Sequence, residues 1–446
     1  MGDDIKYDER GAEEIASLEQ TFRAPGGPRN YVAAPAPGWD TRGIWHCFDS
    51  SSRSGYAAHS VGLHWALNEQ LGIPTQLVPH RNLDVDIERF PADRYDMLFE
   101  WHKRAVGLPE LMIVGFPPDV AQEQVGVHGK IVPYCAFEGD RVSDICGQMC
   151  NGPTFEAIWV VSEFVRDALI VGGVDPARIQ IVTPLLCDGP YPMPRLSDLL
   201  AASKKRAEAE EPFTFGVMGT WHSRKGFHQL VESYWSEFSR DENVQLVIRT
   251  SNFGGRKTIK EFQDLVTGEL RTIAESMGHR NWPESRSTAR IRLLMGTALT
   301  DAEVVEWIGS LDCYVNPSYG EGLGIPHHWA KSCNVPLVTS SWGAVGQLVS
   351  LFPGGNDVVF EATPTPVDPE IPRLSFMFDR QTLWGGYSNE DLASSMREAF
   401  ALGRLTEIDA SADAVRKHFG PENVADSVAS ALAALLGEKV VKELRS

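Results

Sequence analysis

The sequence predicts an α/β protein made of two parallel-sheet halves, joined by one linker and closed by a C-terminal helix. Three observations carry that prediction. Short apolar runs alternate with helical stretches from about residue 31 to about 187, and the same alternation restarts at Phe213. Between them, Pro190, Pro192, Pro194 and Pro212 bracket a Lys/Glu/Ala-rich piece, the composition of a linker. Finally, Val424, Val428, Leu432 and Leu435 fall on one face of a helix. Strand and helix in alternation imply parallel sheets covered on both faces.

Taken in order, residues 1–30 are acidic and then Pro/Gly-rich, and read as a tail. Gly43–Phe48 is the first strand, followed by a polar turn from Asp49 to Gly55 and a helix carrying Val61, Trp65, Leu67 and Leu71. Further strands are expected at Met97–Phe99, Leu111–Val114, Ile131–Val132, Ile158–Val161 and Ile179–Val182. A helix from Glu163 to Val171 stops at Gly172-Gly173, a normal C-terminal signal. The second half opens with strand Phe213–Val217, the turn Gly219–Gly226, helix Phe227–Phe238 and strand Val244–Ile248. Strand Ile291–Met295, helix Asp301–Ile308, strand Cys313–Val315, helix Ile325–Cys333 and strand Leu337–Thr339 follow. Thr363–Gly386 is Pro-rich and reads as a long loop. The expected division is 1–30 tail, 31–195 N-terminal Rossmann-like domain, 196–212 linker, 213–420 C-terminal Rossmann-like domain and 421–446 closing helix, packed back towards the N-terminal domain.

The chain has 446 residues, 41 Lys+Arg and 60 Asp+Glu, for a net charge of -19, which argues against a general nucleic-acid binder. Residues 1–20 alone supply -5 of it, so a basic patch can still exist elsewhere. The segment Arg249–Arg292, with nine bases and five acids, is such a patch. Seven cysteines form no CxxC pair; Cys135, Cys146 and Cys150 lie close together but lack a His or fourth Cys at zinc spacing, so no metal site is expected. An odd count of thiols, no signal-like N-terminus and no apolar run of about 20 residues point to a cytoplasmic protein without a transmembrane segment.

The most informative stretch is Asn316-Pro-Ser-Tyr-Gly-Glu-Gly-Leu-Gly-Ile-Pro326. A strand ends, a glycine-bracketed loop follows, and Pro326 stands where a first helical turn begins. Such a loop leaves the amides of Gly322, Leu323 and Gly324 for an anion, helped by the helix dipole by roughly 0.3–1 kcal/mol. An ordinary strand-to-helix turn is the competing reading.

Together, Gly219-Thr-Trp-His-Ser-Arg-Lys-Gly226, Asp312–Pro326 and Asn334-Val-Pro-Leu-Val338 resemble the retaining glycosyltransferases of family 4. Ser54-Gly-Tyr-Ala-Ala58 and Trp159–Phe164 leading to Gly172-Gly-Val174 look like the family's N-terminal half, so the resemblance spans about residues 40–440. It implies the GT-B architecture, two Rossmann-like domains facing across a cleft. It also implies metal-independent, cofactor-free transfer of a sugar from a UDP-sugar or GDP-sugar to a hydroxyl, with retention at the anomeric carbon. Lys225 matches the lysine on the donor pyrophosphate, and Glu321 the first glutamate of the Glu-x7-Glu signature, which contacts the transferred sugar. Gly219, Thr220, Arg224, Gly322, Leu323 and Gly324 fall on the donor side; Gly55, Tyr56, His59 and Asp140 on the acceptor side. Glu138 stands near where the family offers a histidine, and either it or Asp140 can orient the acceptor or cap the next helix. His128 is a weaker candidate.

Two positions depart from the pattern: Trp329 replaces the second glutamate, which usually holds the ribose, and Thr220 replaces an arginine whose charge falls to Arg224, Arg249 or Arg292. Three readings therefore stand: transfer to a glycan acceptor, the same chemistry on a hydroxymethylated base in DNA through Arg256 and Lys257, and a non-catalytic sugar-nucleotide-binding protein.

Overall fold

A computed structural model describes residues 41–48, 54–78, 97–98, 100–101, 104–124, 130–251, 258–283, 287–295, 299–368 and 375–445. The acidic tail, His128, Arg256 and Lys257 lie outside the described residues.

The first sheet holds β1 (Arg42–Cys47), β2 (Thr75–Val78), β3 (Leu108–Val114), β4 (Ile131–Cys135), β5 (Ile158–Val160) and β6 (Ile179–Ile181), in the order β2-β1-β3-β4-β5-β6. The second holds β7 (Phe213–Thr220), β8 (Val244–Ser251), β9 (Arg290–Met295), β10 (Cys313–Asn316), β11 (Leu337–Ser340) and β12 (Val358–Phe360), in the order β12-β11-β10-β7-β8-β9. Their strands pair in parallel. Buried on both faces, they are continuous Val, Ile and Leu runs, as in Leu111–Val114 and Ile131–Val132. Each order reverses once, between β1 and β3 and between β10 and β7. Chain leaving neighbouring strands on opposite sides opens a crevice there, the usual ligand position in such sheets.

Local signals set the helices. Ser54 caps Gly55–Trp65 by accepting from the Ala57 amide, and Ser162 caps Glu163–Val171 through the Val165 amide. Ser143, not Glu138 or Asp140, caps Asp144–Asn151. The linker contains the helix Leu196–Glu208, buried only at Leu196.

Two expected elements differ. Met97 and Leu98 lie in helix, not strand, and Phe99 lies outside the described residues. Thr363–Gly386 is not simply a loop: β13 (Thr363–Pro366) and β14 (Leu383–Gly386) form an antiparallel ribbon. Pro364 and Pro366 are tolerated because the ribbon is two-stranded and spares their missing N–H groups a second partner.

The helix Pro421–Leu436 packs on the first half. Its Val424, Val428 and Leu432 are fully buried in the cluster that contains the first sheet. Each such side chain contributes about 1.5–3 kcal/mol. Ser427 Oγ accepts from the Thr183 amide at 3.0 Å. The same cluster continues into Tyr314, Trp329 and Val345 of the second half, so the two halves share apolar packing.

Candidate active site

The crevice between β7 and β10 gathers the loop after each strand. After β7, His222 accepts from the Arg224 amide, and Gly226 turns the chain into the helix Phe227–Glu237 with φ 62°. A Cβ on Gly226 would stand 2.1 Å from Pro317 O, so the two loops touch backbone to backbone. Gly226→Ala is therefore expected to cost about 1–3 kcal/mol for the left-handed φ and more for the clash. The midpoint of urea unfolding measures it, and an unchanged midpoint would refute the close approach.

After β10, the loop is anchored at several points. Tyr319 donates its amide to Arg224 O at 2.9 Å, and Ser318 Oγ donates to Arg224 O and Gly320 O. Ala344 donates its amide to Glu321 O at 3.0 Å. Gly324 takes φ 77° at the N-terminus of the helix Ile325–Ser332, with Pro326 in its first turn. Residues Glu321 to Gly324 are buried, yet among the described residues the amides of Gly322, Leu323 and Gly324 donate no hydrogen bond. Buried N–H groups are nearly always paired, so three in a row at a helix start mark a place for an acceptor.

Lys225 and Arg224 face this loop. Lys225 Nζ lies 2.5 Å from Glu321 Oε1, and Arg224 Nη1 lies 3.4 Å from the same oxygen. Arg224 also donates to Gly320 O at 2.5 Å and pairs with Glu138 Oε1 at 3.2 Å. Glu138 belongs to the N-terminal half, so the guanidinium bridges the cleft. The two cations of the cleft are thus neutralised by carboxylates.

Burial alone would raise the Glu321 carboxyl; Lys225 and Arg224 outweigh it and hold it down to about 2. Burial pulls the Lys225 ammonium below its ordinary value, only partly opposed by Glu321. Because the Glu321 pKa is depressed on folding, its stabilisation is complete above about 4.5 and is lost as pH falls towards about 2. Acid unfolding of wild type over that window should accordingly be steeper than that of Glu321→Gln; identical profiles would overturn the assignment.

The other expected residues are placed as follows. Gly219 and Thr220 end β7, and a Cβ on Gly219 would meet the Lys225 stem at 3.4 Å. Tyr56, just after Gly55 at the start of its helix, donates from its hydroxyl to Ala136 O at 2.7 Å. This holds the strand end that precedes Glu138. His59 is buried edge-on to Tyr134, and burial lowers it to about 4, so it is a neutral packing group. Asp140 Oδ1 accepts from the Leu383 amide at 2.8 Å and so ties the ribbon to the first half. Trp329, at the second glutamate's position, is buried, donates from Nε1 to Leu186 O at 2.9 Å and packs against Tyr191. It joins the two halves.

Some contributors carried no sequence signal. Ser162 Oγ donates to Gly322 O at 2.7 Å, and Gln347 Oε1 accepts from the Phe164 amide at 2.8 Å, both across the cleft. A Cβ on Gly322 would come within 2.6 Å of Phe137 N and O, which explains the glycine. His327, beside the loop, is lowered to about 4 by burial, although Glu321 opposes the shift. Its place one turn into the helix after Gly324 was the available clue.

No family model matches this chain, and no curated protein matches it. Solved structures do. Anabaena HepE, in complex with UDP and glucose, is 14% identical, covers 88% of this chain and 100% of its own, and superposes with a TM-score of 0.57. A sucrose-phosphate synthase from Thermosynechococcus elongatus is 12% identical over 90% of this chain and 99% of its own, with a TM-score of 0.54. An alpha,alpha-trehalose 6-phosphate synthase from Burkholderia multivorans is 11% identical over 91% and 100%, with a TM-score of 0.53. The likeness shows the GT-B fold: two Rossmann-like sheets with a C-terminal helix.

Proposed function

We propose that this protein transfers a sugar from a nucleoside diphosphate sugar to a hydroxyl acceptor, with retention at the anomeric carbon, as the family 4 motifs imply. One observation carries the reading: two cations, Arg224 and Lys225, stand beside a buried run of unpaired amides at the β7/β10 switch point. That set suits a diphosphate. HepE, solved with UDP-glucose, supports a UDP-sugar donor, with a GDP-sugar as the other option.

In this reading the diphosphate draws Lys225 and Arg224 from Glu321 and takes the Gly322–Gly324 amides, while Arg224 keeps Glu138. Freed of that pairing, Glu321 accepts hydrogen bonds from the sugar hydroxyls. The bond between the anomeric carbon and the diphosphate oxygen breaks, and the acceptor oxygen bonds to the same face of that carbon. The acceptor proton passes to the departing diphosphate. Lys225, Arg224 and the amides stabilise the charge that develops there, so the chemistry calls for no metal. Glu138, held by Arg224, orients the acceptor. The seven buried free thiols are in keeping with a reducing, cytoplasmic setting.

The experiment is calorimetry of the full chain with UDP- and GDP-sugars, followed by NMR of the product's anomeric configuration with glycan acceptors. Binding with transfer and retention supports the proposal; no nucleotide sugar bound, or an inverted product, overturns it.

A further inference from the structure

A separate cavity of about 580 Å³ opens between the helices Phe227–Glu237 and Ile259–Ser276 and the β13–β14 ribbon. Its size falls within the roughly 300–1,000 Å³ of small-molecule sites. Its lining includes none of Arg224, Lys225, Glu321 or Glu138, although Tyr319 borders it from the glycine-bracketed loop.

The lining is aromatic on two sides. On one, Trp221 stacks on Phe227 with ring centroids 4.9 Å apart and planes 4° from parallel. On the other, Tyr319 stacks with Trp384 at 6.2 Å and 14°. Polar groups punctuate these faces. Glu269 Oε2 accepts from Trp221 Nε1 and pairs with His228 Nε2, each at 2.6 Å, while its Oε1 has no hydrogen bond among the described residues. Asp368 accepts from Ser223 Oγ at 3.1 Å. Trp384 is 4% exposed, and its Nε1 finds no acceptor among the described residues. Gln229 also lines the cavity and brings a side-chain amide that can donate as well as accept.

Flat faces with electron-rich π-systems attract the polarised C–H faces of a pyranose ring, and carboxylates accept from its hydroxyls. The Gln229 amide supplies the donor that the two carboxylates, Glu269 and Asp368, lack. An anion is disfavoured between Glu269 and Asp368. A cation would use the aromatic faces but gives the Gln229 N–H nothing to bind.

We propose that this cavity is a carbohydrate-binding site that holds a neutral sugar unit, apart from the cation–carboxylate cluster. The proposal goes beyond the transfer reading and does not need it. Under that reading, the ligand is a further unit of a glycan that the protein works on.

Saturation-transfer NMR on the full chain, with maltotriose, cellotriose and N-acetylchitotriose as probes, tests it. Wild type should transfer saturation to at least one. Leu265→Trp, at a 38% exposed lining position, fills the cavity without entering the core and should abolish the signal. Gln229→Ala removes the amide donor and should weaken binding about fivefold. Nucleotide-sugar binding by calorimetry should be the same in Leu265→Trp as in wild type, which separates this site from the donor site. The proposal fails if no trisaccharide gives a signal, if Leu265→Trp leaves the signal intact, or if choline binds the cavity in place of sugars.

Discussion

Lys225→Ala should lower kcat/KM for sugar transfer by about 10²–10³-fold, the usual cost of losing one preorganised group that meets developing charge. The reason is geometric. Lys225 reaches the loop after β10 from the turn after β7, and its Nζ stands 2.5 Å from Glu321 Oε1. Arg224 cannot substitute, because its guanidinium is also engaged with Gly320 O and Glu138. Affinity for a nucleotide sugar should fall as well, as expected when a charge-assisted hydrogen bond worth about 1.5–3 kcal/mol is removed. Lys225→Arg should recover part of the binding but less of the rate, since a planar fork does not replace a point charge. Steady-state kinetics and calorimetry on folded variants decide the matter. If Lys225→Ala and Glu321→Ala both keep full activity, the site is misassigned.

The largest stability effect is expected at a different pair. Asp357→Ala should destabilise the protein by about 3–5 kcal/mol, because it strands a buried ammonium. Lys331 Nζ and Asp357 Oδ2 are 2.5 Å apart with side chains only 3% and 5% exposed. Asp357 also accepts from the Leu337 and Gly354 amides at 2.9 Å each. Lys331 sits at the end of the helix that follows the glycine-bracketed loop, so the pair fixes that helix against β11 and β12. Replacing both partners, Lys331→Met with Asp357→Leu, should restore much of the loss, since neither charge is then left alone. Equilibrium urea unfolding measures both effects, and a loss below about 1 kcal/mol, the scale of an exposed pair, would sink the argument.

Much of the scaffold is legible from local signals. Glu163–Val171 has its capping Ser162 before it and Gly172-Gly173 after it, and forms over that span. The runs at β3, β4, β8 and β9 are apolar and β-branched enough to name as strands, although their ends extend further. Other elements give little local sign. Thr75–Val78 is four residues long and gains its hydrogen bonds from β1. Gly343–Leu351 is helical despite Gly346 in its interior, which costs about 1 kcal/mol relative to Ala. Gly346 is needed because a Cβ there would meet Ser341 O at 2.2 Å, a contact made by packing and not by propensity. Thr-Pro-Thr-Pro at 363–366 reads as a loop until β14 pairs with it.

By itself, the sequence determines the alternation of strand and helix, the two halves, the closing helix and the glycine-bracketed loop with its neighbouring lysine. Periodicity, capping residues and glycine placement act over a few positions, so they can be read from the order of residues. Tertiary structure decides which groups meet across distance. It sets Glu138 against Arg224, Ser162 against Gly322, and Trp329 into the seam between the halves, and it closes the aromatic cavity beside the ribbon. Those contacts join residues from 86 positions apart, Glu138 to Arg224, to 160 apart, Ser162 to Gly322. They exist because two sheets reverse their strand order and face one another, a property of topology that no local pattern encodes.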